Sequence, residues 1–143
     1  MRYLALCCQA LMMLIAITEI AHAENLVVIV NPQSGITQLS NTDVMQIFMG
    51  KTPVFPNGKT ARPVYMIETS PLRTLFDRKA LNKDTIQVRA FCVRMLFTGR
   101  AEPPSELADS TSVKQRIAGD STLIGYVTAE DVGDTVRIVY RVP

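Results

Sequence analysis

The sequence predicts an α/β domain built on a single sheet that is at least partly parallel, and three observations lead there. Leu26 to Val30 is an unbroken apolar, mostly β-branched run, the pattern of a strand buried on both faces. Four later stretches carry apolar residues at helical spacing, opening on cap-forming residues and stopped by glycine or asparagine. Strands and helices then follow one another along the chain, which favours helices packed on a sheet with parallel neighbours.

Taken in order, Asn31-Pro32 ends the first strand and Gln33 to Gln38 is loop. Ser40 is a good N-cap, with Asp43 placed to favour the helix dipole. Val44, Ile47 and Phe48 recur at helical spacing, and Gly50 supplies a left-handed stop. Residues 51–61 hold Pro53, Pro56 and an Asn57-Gly58 turn, and Arg62 to Ile67 reads as the second strand. Ser70-Pro71 starts a helix with serine as cap and proline in the first helical position, continuing through Leu72, Leu75, Phe76 and Leu81 to Asn82. Asp84 caps the next helix, in which Ile86, Ala90, Val93 and Phe97 form an apolar face, and Gly99 closes it. Pro103-Pro104 interrupts the chain, and Thr111 to Ala118 makes a short helix stopped by Gly119. Leu123 to Val127, with Gly125 inside it, and Thr135 to Val142 are the last strands. Gly125 before Tyr126 predicts a close backbone approach within the sheet. There is no internal repeat and no low-complexity tract.

The amino terminus has a separate logic. Arg2 precedes an apolar run from Leu4 to Ile17 broken only by Gln9, and Ala21-His22-Ala23 offers small residues at −3 and −1. Residues 1–23 therefore read as a secretory signal cleaved before Glu24, leaving residues 24–143 as one exported, unanchored domain. The apolar run is too short for a spanning helix, which needs about 20 such residues. Cys7 and Cys8 come too early in it to be a lipid-modified amino terminus. Removing 23 of 143 residues leaves 120, enough for one core. The cut takes one basic and one acidic residue, Arg2 and Glu19, so the net charge stays +2, too weak for a nucleic-acid surface. It also takes His22, the only histidine, and two of the three cysteines. Histidine-based catalysis and histidine metal ligation are thereby excluded, and Cys92 has no intrachain disulfide partner. Binding, with no cofactor and no metal, is expected in place of enzymatic turnover.

The best candidate site is Thr69-Ser70-Pro71-Leu72-Arg73, directly after a strand and at the start of a helix. The first N–H groups of a helix lack intrahelical partners and carry positive potential, so a hydroxyl at Ser70 and a cation at Arg73 would complete an oxyanion site with Thr69. The alternative is that Ser70 only caps the helix and Arg73 pairs with an acidic side chain. Ser34 and Gly35 at the end of the first strand, and Arg100 after the Gly99 stop, are secondary candidates.

With those pieces in order the chain resembles the periplasmic phosphate-binding proteins that serve ATP-driven importers, and is most similar to their short, single-lobe members. The resemblance runs through Val27-Val28-Ile29-Val30-Asn31-Pro32, Leu39-Ser40, Ile47-Phe48-Met49-Gly50-Lys51 and Arg62-Pro63-Val64. It continues in Thr69-Ser70, Phe97-Thr98-Gly99 and Ile124-Gly125-Tyr126-Val127. It implies one lobe of a type II periplasmic-binding-protein-like fold, a mixed sheet flanked by helices. It further implies phosphate or a related oxyanion as ligand, and a membrane transporter or a sensor protein as partner. The larger members close two lobes on the anion, and the blocks matched here correspond to the crossover strand, the second lobe and the return strand. Where the family has an arginine a few residues before a Ser-Gly-Thr turn, this chain has Met66 and then Ser70-Pro71-Leu72, which leaves Arg73 as the substitute charge.

Overall fold

The computed structural model describes residues 25–99 and 102–143; the expected signal segment with His22, Cys7 and Cys8, and the candidate Arg100, lie outside the described residues. Five strands form one mixed sheet: β1 (Leu26–Val30), β2 (Arg62–Met66), β3 (Ser105–Leu107), β4 (Leu123–Thr128) and β5 (Arg137–Arg141), in the order β3-β2-β4-β1-β5. β2 runs parallel to both β3 and β4, while β1 runs antiparallel to β4 and to β5. The carboxyl ends of β2, β3 and β4 therefore gather at one end of the sheet, and that of β1 points to the other. All five residues of β1 are buried, as an uninterrupted apolar strand requires.

Four α-helices cover the sheet: α1 (Asn41–Phe48), α2 (Pro71–Ala80), α3 (Thr85–Phe97) and α4 (Ser110–Ala118). α4 lies against the face carrying Gly125, where a Cβ would come within 2.8 Å of Ile117 Cδ1 and 2.9 Å of Val113 Cγ1. The glycine is a contact surface for that helix, and any side chain would force Ile117 and Val113, or the helix that carries them, to shift. Asn31, at the end of β1, ties the same helix down by donating from Nδ2 to the Ile117 and Ala118 carbonyls, each at 3.0 Å. On the other face an aromatic cluster fills the core. Phe76 stacks on Tyr126 at 3.9 Å between ring centroids, and Phe48 meets Tyr65 edge-on at 5.4 Å. The two buried tyrosines satisfy their polar tips locally: Tyr65 donates to the Phe48 carbonyl, and Tyr126 Oη accepts from Met66 N at 3.0 Å.

Sequence and structure part company at three places. β3 follows Pro103-Pro104 and pairs with β2 through three residues only, too short to leave an alternation signal. Helix α4 begins one residue early, because Asp109 and not a later residue accepts from Ser112 N at 2.8 Å. In α3 the expected apolar face of Ile86, Ala90, Val93 and Phe97 is the outward one, with Ile86 80% and Phe97 88% exposed. The core-facing side is instead Val88, Phe91, Cys92 and Met95. Periodicity could not separate the two sides because both are apolar.

Candidate functional site

In open α/β sheets ligands settle beyond the carboxyl ends of strands, where connecting loops part. Here the ends of β2, β3 and β4 lead into the starts of α2, α4 and a short 3-10 turn, Ala129–Asp131. Between them lies a cleft of about 410 Å³, walled by Met66, Ser70 and Leu72 on one side and by Asp109, Thr111 and Asp131 on the other. Two helix N-termini thus converge on one space.

Those two N-termini differ. α1, α3 and α4 each begin under a side-chain cap, from Ser40, Asp84 and Asp109. α2 starts at Pro71 with Ser70 in the cap position but with no side-chain cap bond, and with no acidic residue in its first turn. The Ser70 hydroxyl turns instead to Met66 Sδ at 3.5 Å. The serine expected as a cap holds the position without performing the capping; Pro71 has no N–H and the Arg73 amide donates to the Ser70 carbonyl at 3.1 Å, which leaves the Leu72 amide as the donor the first turn can offer the cleft. The α4 end is already compensated by its own carboxylate. Hydrogen bonds from the Ser112 backbone and side chain hold the Asp109 carboxyl below its ordinary range. Asp131 adds a second carboxylate, accepting from Thr128 Oγ1 at 2.8 Å.

Arg73 lies behind the cleft wall and is only 3% exposed. Its Nε donates to Asp77 Oδ2 at 2.8 Å, its Nη1 donates to the Met66 carbonyl at 2.9 Å, and its guanidinium lies 4.2 Å from the Tyr65 ring centre. Glu106 approaches Nη1 at 3.6 Å. Burial opposes the arginine's charge, but the Asp77 charge and hydrogen bond outweigh it and shift its pKa upward. Burial likewise pushes the Asp77 carboxyl above the usual range, with Arg73 pulling it back. Asp77 Oδ1 reaches no donor in full hydrogen-bond geometry, although the Thr85 hydroxyl beside it helps to draw the carboxyl down. The cation expected in the first turn of α2 is thus matched from within the helix, four residues on.

The other expected residues disperse. Thr69 is exposed on the turn before α2. Ser34 and Gly35 follow β1 and therefore sit at the opposite end of the sheet from Ser70. Ser34 is fully buried, its Oγ accepts from Ile36 N at 3.2 Å, and Asn57 Nδ2 donates to its carbonyl at 2.9 Å. At that opposite end a second, mostly apolar cleft of about 350 Å³ runs between Phe48, Met49, Arg62, Cys92, Met95 and Leu123. Burial pushes the Cys92 thiol up, which keeps it protonated and a poor nucleophile at neutral pH. Asp109 and Asp131 went unseen in the sequence because scattered acids in turns look alike. Asp109 followed three residues later by Ser112 was the one local signal, as a cap site. Among the described residues there is no group of three or more metal-ligating side chains, and no helix long and apolar enough to cross a membrane.

No protein-family model matches the chain, and no curated protein matches its sequence. Solved structures do match. An ABC-type phosphate transport receptor from Vibrio cholerae superposes with a TM-score of 0.64 at 13% identity, over 80% of this chain and 45% of that one. A phosphate ABC transporter substrate-binding protein with bound phosphate from Clostridium perfringens gives 0.63 at 18% identity, over 80% and 44%. PstS from Borrelia burgdorferi gives 0.64 at 14%, over 80% and 46%. At such identities the likeness is one of fold. The chain therefore has a solute-binding-like fold, that of part of the phosphate receptors of ABC transport systems, and it spans less than half the length of those receptors.

Proposed function

We propose that this protein is an exported, periplasmic solute-binding module that takes phosphate or a closely related protonated oxyanion for an ABC-type uptake system, without catalysing a reaction. The observation that supports it is the uncapped start of α2 opening on a cleft at the carboxyl ends of three strands. In this reading the anion lies against Ser70, the Leu72 amide and Thr69, while Arg73 acts from behind the wall. Asp109 and Asp131 set its chemistry. A carboxylate beside an anion repels it unless the anion carries a proton to share. Monohydrogen or dihydrogen phosphate does, and sulfate near neutral pH does not. The same carboxylates, with one side of the cleft open to solvent, keep affinity weak, in the millimolar range and not the micromolar range of an enclosed site.

A second reading rests on a specific observation: the only cation expected at α2 is held by Asp77, and the cleft walls carry two acids. In that reading the domain is an accessory or sensory module that keeps the fold and presents its surface to a membrane receptor or transporter. Calorimetry on the processed protein separates the two. Heat with phosphate at millimolar concentration, absent with sulfate, supports the first. No heat with any oxyanion removes it and leaves the second.

A further inference from the structure

Helix α3 carries the largest exposed apolar side chains among the described residues: Phe97 at 88% and Ile86 at 80%, with Val93 and Leu96 at 41% and 36%. Its inner side is apolar as well, through Val88, Phe91, Cys92 and Met95. A helix apolar around most of its circumference is one that is covered on two sides. The outer residues Ile86, Ala90, Val93 and Phe97 are spaced by four, three and four, the seam of a two-helix coiled coil. That seam is self-complementary. Ile86 with Phe97 and Ala90 with Val93 share one midpoint, between Phe91 and Cys92. Against an antiparallel second copy, Ile86 meets Phe97 at each end and the small Ala90 meets Val93 at the crossing.

Two arginines flank the seam, and pairing about that midpoint sets Arg89 of one copy level with Arg94 of the other, a repulsion that solvent screening of exposed side chains keeps small. Arg89 Nη1 is 3.3 Å from Glu68 Oε2 of its own chain, and the Arg94 guanidinium lies 5.8 Å from the Phe91 ring centre. The seam itself bears no charge. Its large side chains expose on the order of 400 Å² of apolar surface per copy, the size of patch that marks an interaction site. Two such patches with their polar rims approach roughly 1,200 Å², the lower end of specific interfaces.

We propose that α3 is a self-association face, on which two copies of this chain pair antiparallel along Ile86–Phe97 in an isologous two-fold dimer. An interface at that end of the size range is expected to associate reversibly, with its affinity set by the packing of Phe97 and Ile86 more than by area. The test is sedimentation equilibrium of the processed protein from about 5 to 500 µM, alone and as Phe97→Asp and Ile86→Asp. Both positions are exposed, so an unchanged circular dichroism spectrum and thermal midpoint check the fold. The expected result is a reversible dimer whose dissociation constant rises at least tenfold in either variant, and stays unchanged in Gln115→Asp on the exposed part of α4. A monomer throughout that range overturns the proposal. So does a dimer indifferent to both substitutions, or a monomer that uses the same face only to bind anionic lipid vesicles.

Discussion

Arg73 occupies the first turn of α2, where a cation works against the helix dipole unless negative charge is near. Asp77, one turn on and fully buried, is that charge, and the Met66 carbonyl and Tyr65 ring complete the cation's surroundings. Removing one member of a buried pair strands the other, at a cost of about 3 to 5 kcal/mol, whereas replacing both with apolar residues of similar volume is often neutral. Asp77→Ala is therefore expected to lower stability by about 3 kcal/mol or more in urea unfolding. Arg73→Met with Asp77→Leu should recover most of the loss. Asp120 gives a prediction in pH. Hydrogen bonds from Thr122 hold its carboxyl below the ordinary range, with Arg62 assisting. A depressed carboxyl contributes stability above its unfolded pKa of about 4, lost as pH falls through the folded value. Asp120→Asn should flatten the decline of thermal midpoint as pH falls below about 4.

At the level of elements, caps and glycines were the legible features. Ser40 with Asp43, and Asp84 with Gln87, form reciprocal capping boxes, Gly50 adopts the left-handed conformation foreseen for it, and Gly99, expected as a helix stop, does the same. These rest on local chemistry that the chain carries within four residues. Ser70 has the same local sequence logic but not the bond, because its hydroxyl faces Met66. The contrast is measurable: Ser40→Ala should cost about 1 kcal/mol and Ser70→Ala nearly nothing. Gly125→Ala, meeting Ile117 and Val113 below 3 Å, is expected to cost about 1 to 3 kcal/mol through displacement of α4. What stayed hidden was decided between elements: the second wall of the cleft at Asp109 and Asp131, and the side of α3 that meets the core. Each depends on a tertiary choice that neighbouring residues do not encode.

For the molecule as a whole, sheet direction sorts the candidates. Because β1 runs against β4, Ser34 and Gly35 fall at the far end from Ser70, and only the β2, β3 and β4 ends share a cleft. The fold is that of part of a phosphate receptor, and the proposed function depends on that one cleft. An amide-resolved NMR titration of residues 24–143 with phosphate tests it most directly. Millimolar phosphate, but not sulfate, should shift the amides of Ser70, Leu72 and Arg73 together with those of Asp109 to Thr111. Shifts confined to Gly35 and Lys59 at the other end of the sheet, or none at all, would contradict it.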